Sequence, residues 1–354
     1  GVLKHGKSPY KQLVSHGFVV DGKGAKMSKS VGNVVDPLQI LETHGADILR
    51  LWVASIDYQA DTKISDDILK QVSENYRKIR NTLKFLVGNL SNGSEEDRFD
   101  PSSDTVSEFE LIDLYVLERL KEVSNTYLDH FDNYNFMGAF HTILNFITIE
   151  LSSLYLDIAK DILYCETKES LRRRQVQSVI YKLLDTLIRL LTPFIPHTMD
   201  ELYAHFDNSV ISTALLDMPV RDSVDTELIS DFKLLINLRD DVLKAIEEAR
   251  NSEIVRSSQE ASIELEIKDD KTKEVFDRLS DIEQNRFFIV SEVKQVNLDG
   301  LNKLSTAKVR VSYHTGEKCE RCWNKFTSSE MVDNVCQRCN DAIEYYKEKL
   351  DEEE

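Results

Sequence analysis

Apolar residues recur three and four positions apart through most of the chain, and this spacing predicts helices that each bury one stripe. From Asp66 to about Leu90 the stripe runs through Ile68, Leu69, Val72, Tyr76, Ile79, Leu83 and Leu86, and Ser65 stands where a cap belongs. Longer patterns follow over about 108–132, 136–165 and 169–206. The second of these carries Phe140, Ile143, Leu144, Phe146, Ile147 and Leu151 with few charges between them, so it is expected at the centre of a bundle. Pro193 and Pro196 break the third pattern after Thr192, because proline removes an amide that a helix needs. Asn89–Ser107, rich in Ser, Asn, Asp, Gly and Pro, reads as a loop, and so does 207–224.

Upstream the elements are shorter. Residues 1–35 read as loop with an extended stretch at Phe18–Val20. Asp36 is a natural N-cap, Pro37 suits the first helical turn, and Gly45 ends the helix they start. Asp47–Trp52 begins another helix, with Trp52 expected in the core. Downstream, Asp225 to about Asn251 is helical, and then the period drops to two. Ala261–Lys268 and Lys308–Tyr313 alternate, Phe287–Val296 reads as extended, and a short helix falls near 271–280. The expected fold is therefore mainly α: a helical bundle over 61–220, a small α+β module over 221–313, a finger over 314–345 and an acidic tail over 346–354.

At 354 residues the chain can hold two to three domains with real cores. Its formal net charge of −18 excludes binding nucleic acid by bulk attraction, so any such contact must use local cations. Two clusters qualify. Lys70, Arg77, Lys78, Arg80 and Lys84 lie mostly off the buried stripe of their helix, on a face that is either merely solvated or meets RNA phosphates. Arg172, Arg173 and Arg174 open a helix against its dipole, so they pair either with Glu166 and Glu169 or with phosphate. No run of about 18 apolar residues exists, so no membrane span is expected. Gly1-Val2-Leu3 lacks the apolar core and cleavage site of a signal peptide, and the opening residues read as the middle of a longer protein. His141 and His197 sit among apolar residues and are expected to be packing histidines.

Two stretches carry chemistry. In Lys23-Gly24-Ala25-Lys26-Met27-Ser28-Lys29-Ser30-Val31-Gly32, two lysines three apart and fenced by glycine describe a mobile, cationic loop suited to a polyphosphate. The other is Cys319-Glu320-Arg321-Cys322-Trp323-Asn324 followed by Cys336-Gln337-Arg338-Cys339, two CxxC turns separated by 13 residues. Four thiolates in a closed shell are a structural zinc arrangement with no open catalytic position. The fifth cysteine, Cys165, is expected to be a small packing residue near a helix end. Trp323, beside Arg321 and Lys325, either packs over the zinc site or offers a platform for an unstacked base.

Lys26-Met27-Ser28-Lys29-Ser30 matches the KMSKS signature letter for letter, and the chain thereby resembles the class I aminoacyl-tRNA synthetases. The Ala46-Asp47-x-x-Arg50-x-Trp52 stretch, Asp57-Tyr58-x-x-Asp61, Tyr76-Arg77-Lys78-Ile79-Arg80 and the terminal finger make it similar to bacterial isoleucyl-tRNA synthetases throughout. Valyl and leucyl relatives share the loop and the bundle but not this finger. The resemblance implies that 1–60 is the end of a Rossmann-type catalytic domain with stem-contact helices, and that 61–220 binds an anticodon arm. It implies catalytic roles for Lys26 and Lys29, ATP contact by Lys29, Ser28 and Ser30, and zinc on Cys319, Cys322, Cys336 and Cys339. It further implies tRNA contacts by Arg50, Arg77, Arg80, Arg172, Arg173, Arg174, Arg321 and Trp323. The cofactors are then zinc and ATP with magnesium; the partners are tRNA(Ile), ATP and isoleucine; and the protein is a cytoplasmic monomer. The family's HIGH motif, amino-acid pocket and editing domain would lie upstream of Gly1, so these residues alone are expected to be inactive. The competing reading is a non-enzymatic, zinc-containing RNA-binding module, or another class I synthetase such as a valyl one.

Overall fold

A computed structural model describes residues 2–91, 99–207, 209–299 and 304–353. In chain order the first elements are α1 (Val2–His5), β1 (Val19–Val20), α2 (Pro37–His44), α3 (Ala46–Ala54), β2 (Thr62–Lys63) and α4 (Asp66–Ser91). Next come α5 (Leu111–Asp132), α6 (Phe136–Asn145), a π-helical stretch (Phe146–Tyr155), α7 (Leu156–Cys165), α8 (Leu171–Leu191), α9 (Pro196–Phe206) and α10 (Thr226–Asn251). The rest holds β3 (Ala261–Ile267), α11 (Asp270–Phe276), α12 (Asp281–Phe288), β4 (Glu292–Gln295), β5 (Ala307–Tyr313), four two-residue strands β6–β9 between Glu317 and Cys336, and α13 (Gln337–Glu353).

Local signals set most of these limits. The Asp36 side chain accepts from the Leu38 amide at 2.9 Å, and Gly45 closes α2 in a left-handed conformation (φ 86°) open only to glycine at low cost. The apolar run Phe136–Cys165 is long and apolar enough to cross a membrane by length and composition alone, yet 56% of its most apolar window is buried in protein, as in a core helix.

The chain divides into two compact units: Gly1–Phe85, Ser124–Thr148 and Thr186–Val220 in one, Leu86–Val123, Ile149–Asp185 and Arg221–Glu354 in the other. The chain passes from the first unit to the second between Val220 and Arg221, and the C-terminal module shares its unit with helical segments that precede it, Leu86–Val123 and Ile149–Asp185. Ion pairs make that association: Glu110 takes both Arg286, at 3.0 Å, and Arg172, at 2.8 Å.

In the first unit Tyr127, Phe131, Phe136, Phe140 and Phe194 form an aromatic core, with Tyr127 stacked on Phe131 at 4.9 Å between centroids. The Pro193–Pro196 break leaves backbone groups without helical partners, and α3 supplies them. Arg50 donates from Nε to the Phe194 carbonyl (3.2 Å) and from Nη2 to the Pro193 carbonyl (2.6 Å). One turn earlier Asp47, 7% exposed, accepts from the Thr198 amide (2.7 Å) and hydroxyl (2.6 Å), capping α9 where its own N-cap residue, Ile195, offers no side chain. Asp47→Ala leaves those donors unmet and should cost about 2 kcal/mol, read as a lower denaturant midpoint; an unmoved midpoint would show that water replaces the cap.

In the second unit the sheet order is β4-β3-β5, with β3 parallel to β4 and antiparallel to β5, pairing Ile263 with Val311 and Leu265 with Val309. The segment expected to be extended over Phe287–Val296 is strand at Glu292–Gln295, but its first two residues, Phe287 and Phe288, close a helix instead. Ser280 and Glu283 form a reciprocal capping box that starts α12, and Ile289 (φ 57°) stops it, leaving only Glu292–Gln295 as strand. Over 346–354, the acidic tail of the sequence reading, α13 continues through Glu353; Glu354 lies outside the described residues.

Candidate metal centre and lysine loop

The finger is built from tight turns. The Cys319 amide donates to the Asn324 carbonyl (2.9 Å), the Trp323 amide returns to the Cys319 carbonyl (3.0 Å), and Trp323 takes a left-handed φ of 67° to close the knuckle. Cys319, Cys322, Cys336 and Cys339 are all buried, and their sulfurs lie within 4.8 Å of one another. The Cys322–Cys336 sulfur separation is 3.9 Å, against about 3.8 Å for the edge of a tetrahedral zinc tetrathiolate. The Cys336 amide donates to the Cys319 sulfur at 3.3 Å, as expected of a group arranged to hold thiolate charge. Donor type, number and spacing therefore fit zinc, which would be held by these four sulfurs.

Phe326, Met331 and Val335, not Trp323, pack against the cysteines. Trp323 is 59% exposed, with the Lys318 ammonium 5.9 Å from its ring. Cys165 belongs to the same buried cluster, and its thiol faces Cys339. The arginines inside the two turns reach the same helix end. Arg321 donates to the carbonyls of Cys165 (2.5 Å) and Tyr164 (3.1 Å), while Arg338 makes a bidentate pair with Asp161 at 2.6 and 2.8 Å. Sequence spacing had no means of showing this, since the partners stand some 156 to 177 positions apart.

The lysine loop leaves β1 and turns back on it: Lys26 bridges Val20 in antiparallel fashion, with its ammonium 5.6 Å from the Phe18 ring. Lys26 and Lys29 are both exposed. Beyond Lys26 a tight turn brings the Ser28 and Ser30 hydroxyls to 3.1 Å, and the Gly32 amide returns to the Ser28 carbonyl at 3.1 Å. Lys29, Ser28 and Ser30 thus share one turn, and Lys26 lies on the limb leading into it.

The remaining arginines differ in how they are used. Arg77 and Arg80 are exposed on α4, and Arg77 pairs with Glu74 at 2.5 Å. Arg172 is drawn inward instead, onto Glu110 and the fully buried Asp113, which also accepts from the Tyr155 hydroxyl at 2.8 Å. Burial pushes up both the Tyr155 hydroxyl and the Glu110 carboxyl. Arg173 donates to the Glu166 carbonyl at 3.3 Å, and Arg174 pairs with Asp104 at 3.4 Å. His141 and His197, expected to be packed, are exposed: each lies off the buried face that its apolar neighbours in sequence form.

Residues 1–65 match the family profile of the class I tRNA synthetases (I, L, M and V), 113–265 that of the anticodon-binding domain of tRNA ligase, and 316–342 that of the zinc finger found in FPG and IleRS. The chain is 45% identical over 350 residues to an isoleucine--tRNA ligase of Macrococcus caseolyticus, covering 97% of this chain and 37% of that protein. It is 42% identical to the corresponding ligase of Staphylococcus carnosus, with the same coverage, and 44% identical to isoleucine--tRNA ligase 1 of Oceanobacillus iheyensis, covering 96% and 37%. The chain thus spans somewhat over a third of the length of these relatives.

Proposed function

We propose, for a chain that belongs to the isoleucine--tRNA ligase family of class I synthetases, that it serves the ATP-dependent attachment of isoleucine to tRNA(Ile). The observation that carries this reading is the exposed lysine turn lying in the same chain as an anticodon-binding domain and the four-thiol finger. Lys29, supported by Lys26, follows the charge that builds on pyrophosphate as it leaves ATP, and the Ser28 and Ser30 hydroxyls donate to the same oxygens. Magnesium accompanies the ATP. Zinc, when bound, supplies a closed structural crosslink and no reactive position.

Partners elsewhere in the chain, rather than exposure, separate the expected tRNA contacts into two groups. Arg77 and Arg80 on α4 and Trp323 on the knuckle meet the tRNA, the first two through phosphates and the third by stacking. Arg50, Arg321 and the Arg172–Arg174 triplet are engaged with carbonyls and carboxylates of the chain itself, and act by holding the elements that present those contacts. The working form is a cytoplasmic monomer. Binding of the chain to purified tRNA(Ile) and to other tRNAs tests the reading, and indifference to all of them would refute it. Arg80→Ala should also reduce the slope of log affinity against log salt by about one if the guanidinium meets a phosphate; an unaltered slope would return that face to solvent. A polypeptide joining this chain to the rest of the catalytic domain should catalyse isoleucine-dependent pyrophosphate exchange, whereas a purely RNA-binding module would not.

A further inference from the structure

The lysine loop is tied across its base by two side chains that no part of the proposed ATP contact uses. Asp21 precedes it and Asn33 follows it. The Asn33 amide works at both of its ends: Oδ1 accepts from the Ser28 amide at 2.9 Å, and Nδ2 donates to the Lys26 carbonyl at 3.2 Å and to Asp21 Oδ2 at 2.9 Å. The other Asp21 oxygen, Oδ1, accepts from the amides of Ala25 (2.8 Å) and Lys23 (3.0 Å). One side chain therefore holds the backbone on either side of Met27, and a second, bonded to the first, holds the limb leading in. Backbone pairing adds to this where the Asp21 amide donates to the Ala25 carbonyl at 2.9 Å.

We propose that Asp21 and Asn33 are positioning residues, a clasp that fixes the backbone from which Lys26 and Lys29 reach a polyphosphate. The inference rests on the ATP reading above for its functional half only. Its physical basis is conformational entropy. A loop secured only at its ends must be ordered anew each time its ammonium groups meet the transition state, whereas a loop ordered beforehand carries that cost in the fold. The chemistry also restricts the residue at 33. An amide accepts from Ser28 through its oxygen and gives its two hydrogens to Asp21 and the Lys26 carbonyl, one more donor than a hydroxyl has; a carboxylate there would face a second carboxylate, and an apolar residue would leave all three partners unmet.

Trypsin reads the clasp directly in the 354-residue chain, since Lys26 and Lys29 are themselves its cleavage sites. Asn33→Ala and Asn33→Asp should each speed cleavage after these lysines by about tenfold, the effect of losing a hydrogen-bonded brace. The reciprocal pair Asp21→Asn with Asn33→Asp restores a donor facing an acceptor between the two side chains but not the donor to the Lys26 carbonyl, so it should slow cleavage about threefold relative to Asn33→Asp alone without reaching the original rate. In a complete ligase carrying these residues, Asn33→Ala should lower kcat for pyrophosphate exchange by about tenfold and leave KM for isoleucine unchanged. Cleavage of Asn33→Ala at the original rate, or no rescue by the reciprocal pair, would overturn the clasp. If instead Lys29→Ala exchanged pyrophosphate normally while the cleavage pattern held, the ATP reading would fall and the clasp would stand.

Discussion

Stripping zinc from this protein should disorder 314–342 and also fray the last turn of α7. The first effect follows from size: the finger has four two-residue strands and little core beyond its cysteines, so metal binding, which contributes roughly 10–16 kcal/mol in such modules, is what folds it. The second follows from the arginines within the two turns. Arg321 satisfies the Tyr164 and Cys165 carbonyls at the end of α7, and Arg338 neutralises Asp161 and approaches Glu166 at 3.5 Å. A helix end whose carbonyls lose their donors must recruit water instead. Both arginines are held in place by the knuckles that zinc closes. Hydrogen exchange after chelation should therefore accelerate at the amides of α7's last turn as well as through the finger. Cys336→Ser should produce the same pattern with no metal bound. One zinc per chain retained in Cys336→Ser would refute the ligand set, and unchanged exchange at Cys165 and Glu166 would refute the coupling.

What the sequence revealed was whatever is written in local spacing. Caps at Asp36 and Gly45, the breaks at Pro193 and Pro196, the buried stripe of α4 and the paired CxxC turns each depend on residues a few positions apart, and each stands where the spacing put it. Interactions across the chain were not legible. Asp47 and Arg50 read as two polar positions on an amphipathic helix, yet they complete the backbone of the α8–α9 link about 150 residues away. The Arg172 guanidinium reads in sequence as a partner of Glu166 and Glu169 or of phosphate, because Glu110 and Asp113, which draw it inward, lie far upstream. In α12 the apolar residues Phe287 and Phe288 suggested a strand, but the Ser280–Glu283 box, a local signal passed over, favours helix through the same residues. Cys165 shows the limit most clearly. Nothing beside it in sequence hints at metal chemistry, and only the fold brings its thiol against Cys339.

Replacing Lys29 by alanine in a ligase carrying this loop should slow isoleucyl-adenylate formation by about a hundredfold, the cost of one preorganised electrostatic contact to developing charge. On the proposed reading, a loss of that size and no greater is expected for two reasons. Lys29 is exposed on the turn shared with Ser28 and Ser30, so its ammonium is free to travel with the pyrophosphate while the two hydroxyls remain. Lys26, on the preceding limb, would still offer the proposed polyphosphate a second cation. Because the contact strengthens as charge develops, kcat should carry the loss and KM for isoleucine should hardly move. Binding of tRNA, which the proposal assigns to other residues, should be unaffected. Lys29→Arg keeps the charge but replaces a compact ammonium on a flexible stem with a planar fork, so activity should recover only in part. Isoleucine-dependent exchange of labelled pyrophosphate into ATP measures this step without tRNA. A Lys29→Ala enzyme that exchanged at the unmodified rate would mean that the loop's cations do not touch the nucleotide, and the assignment of this turn to ATP would be lost.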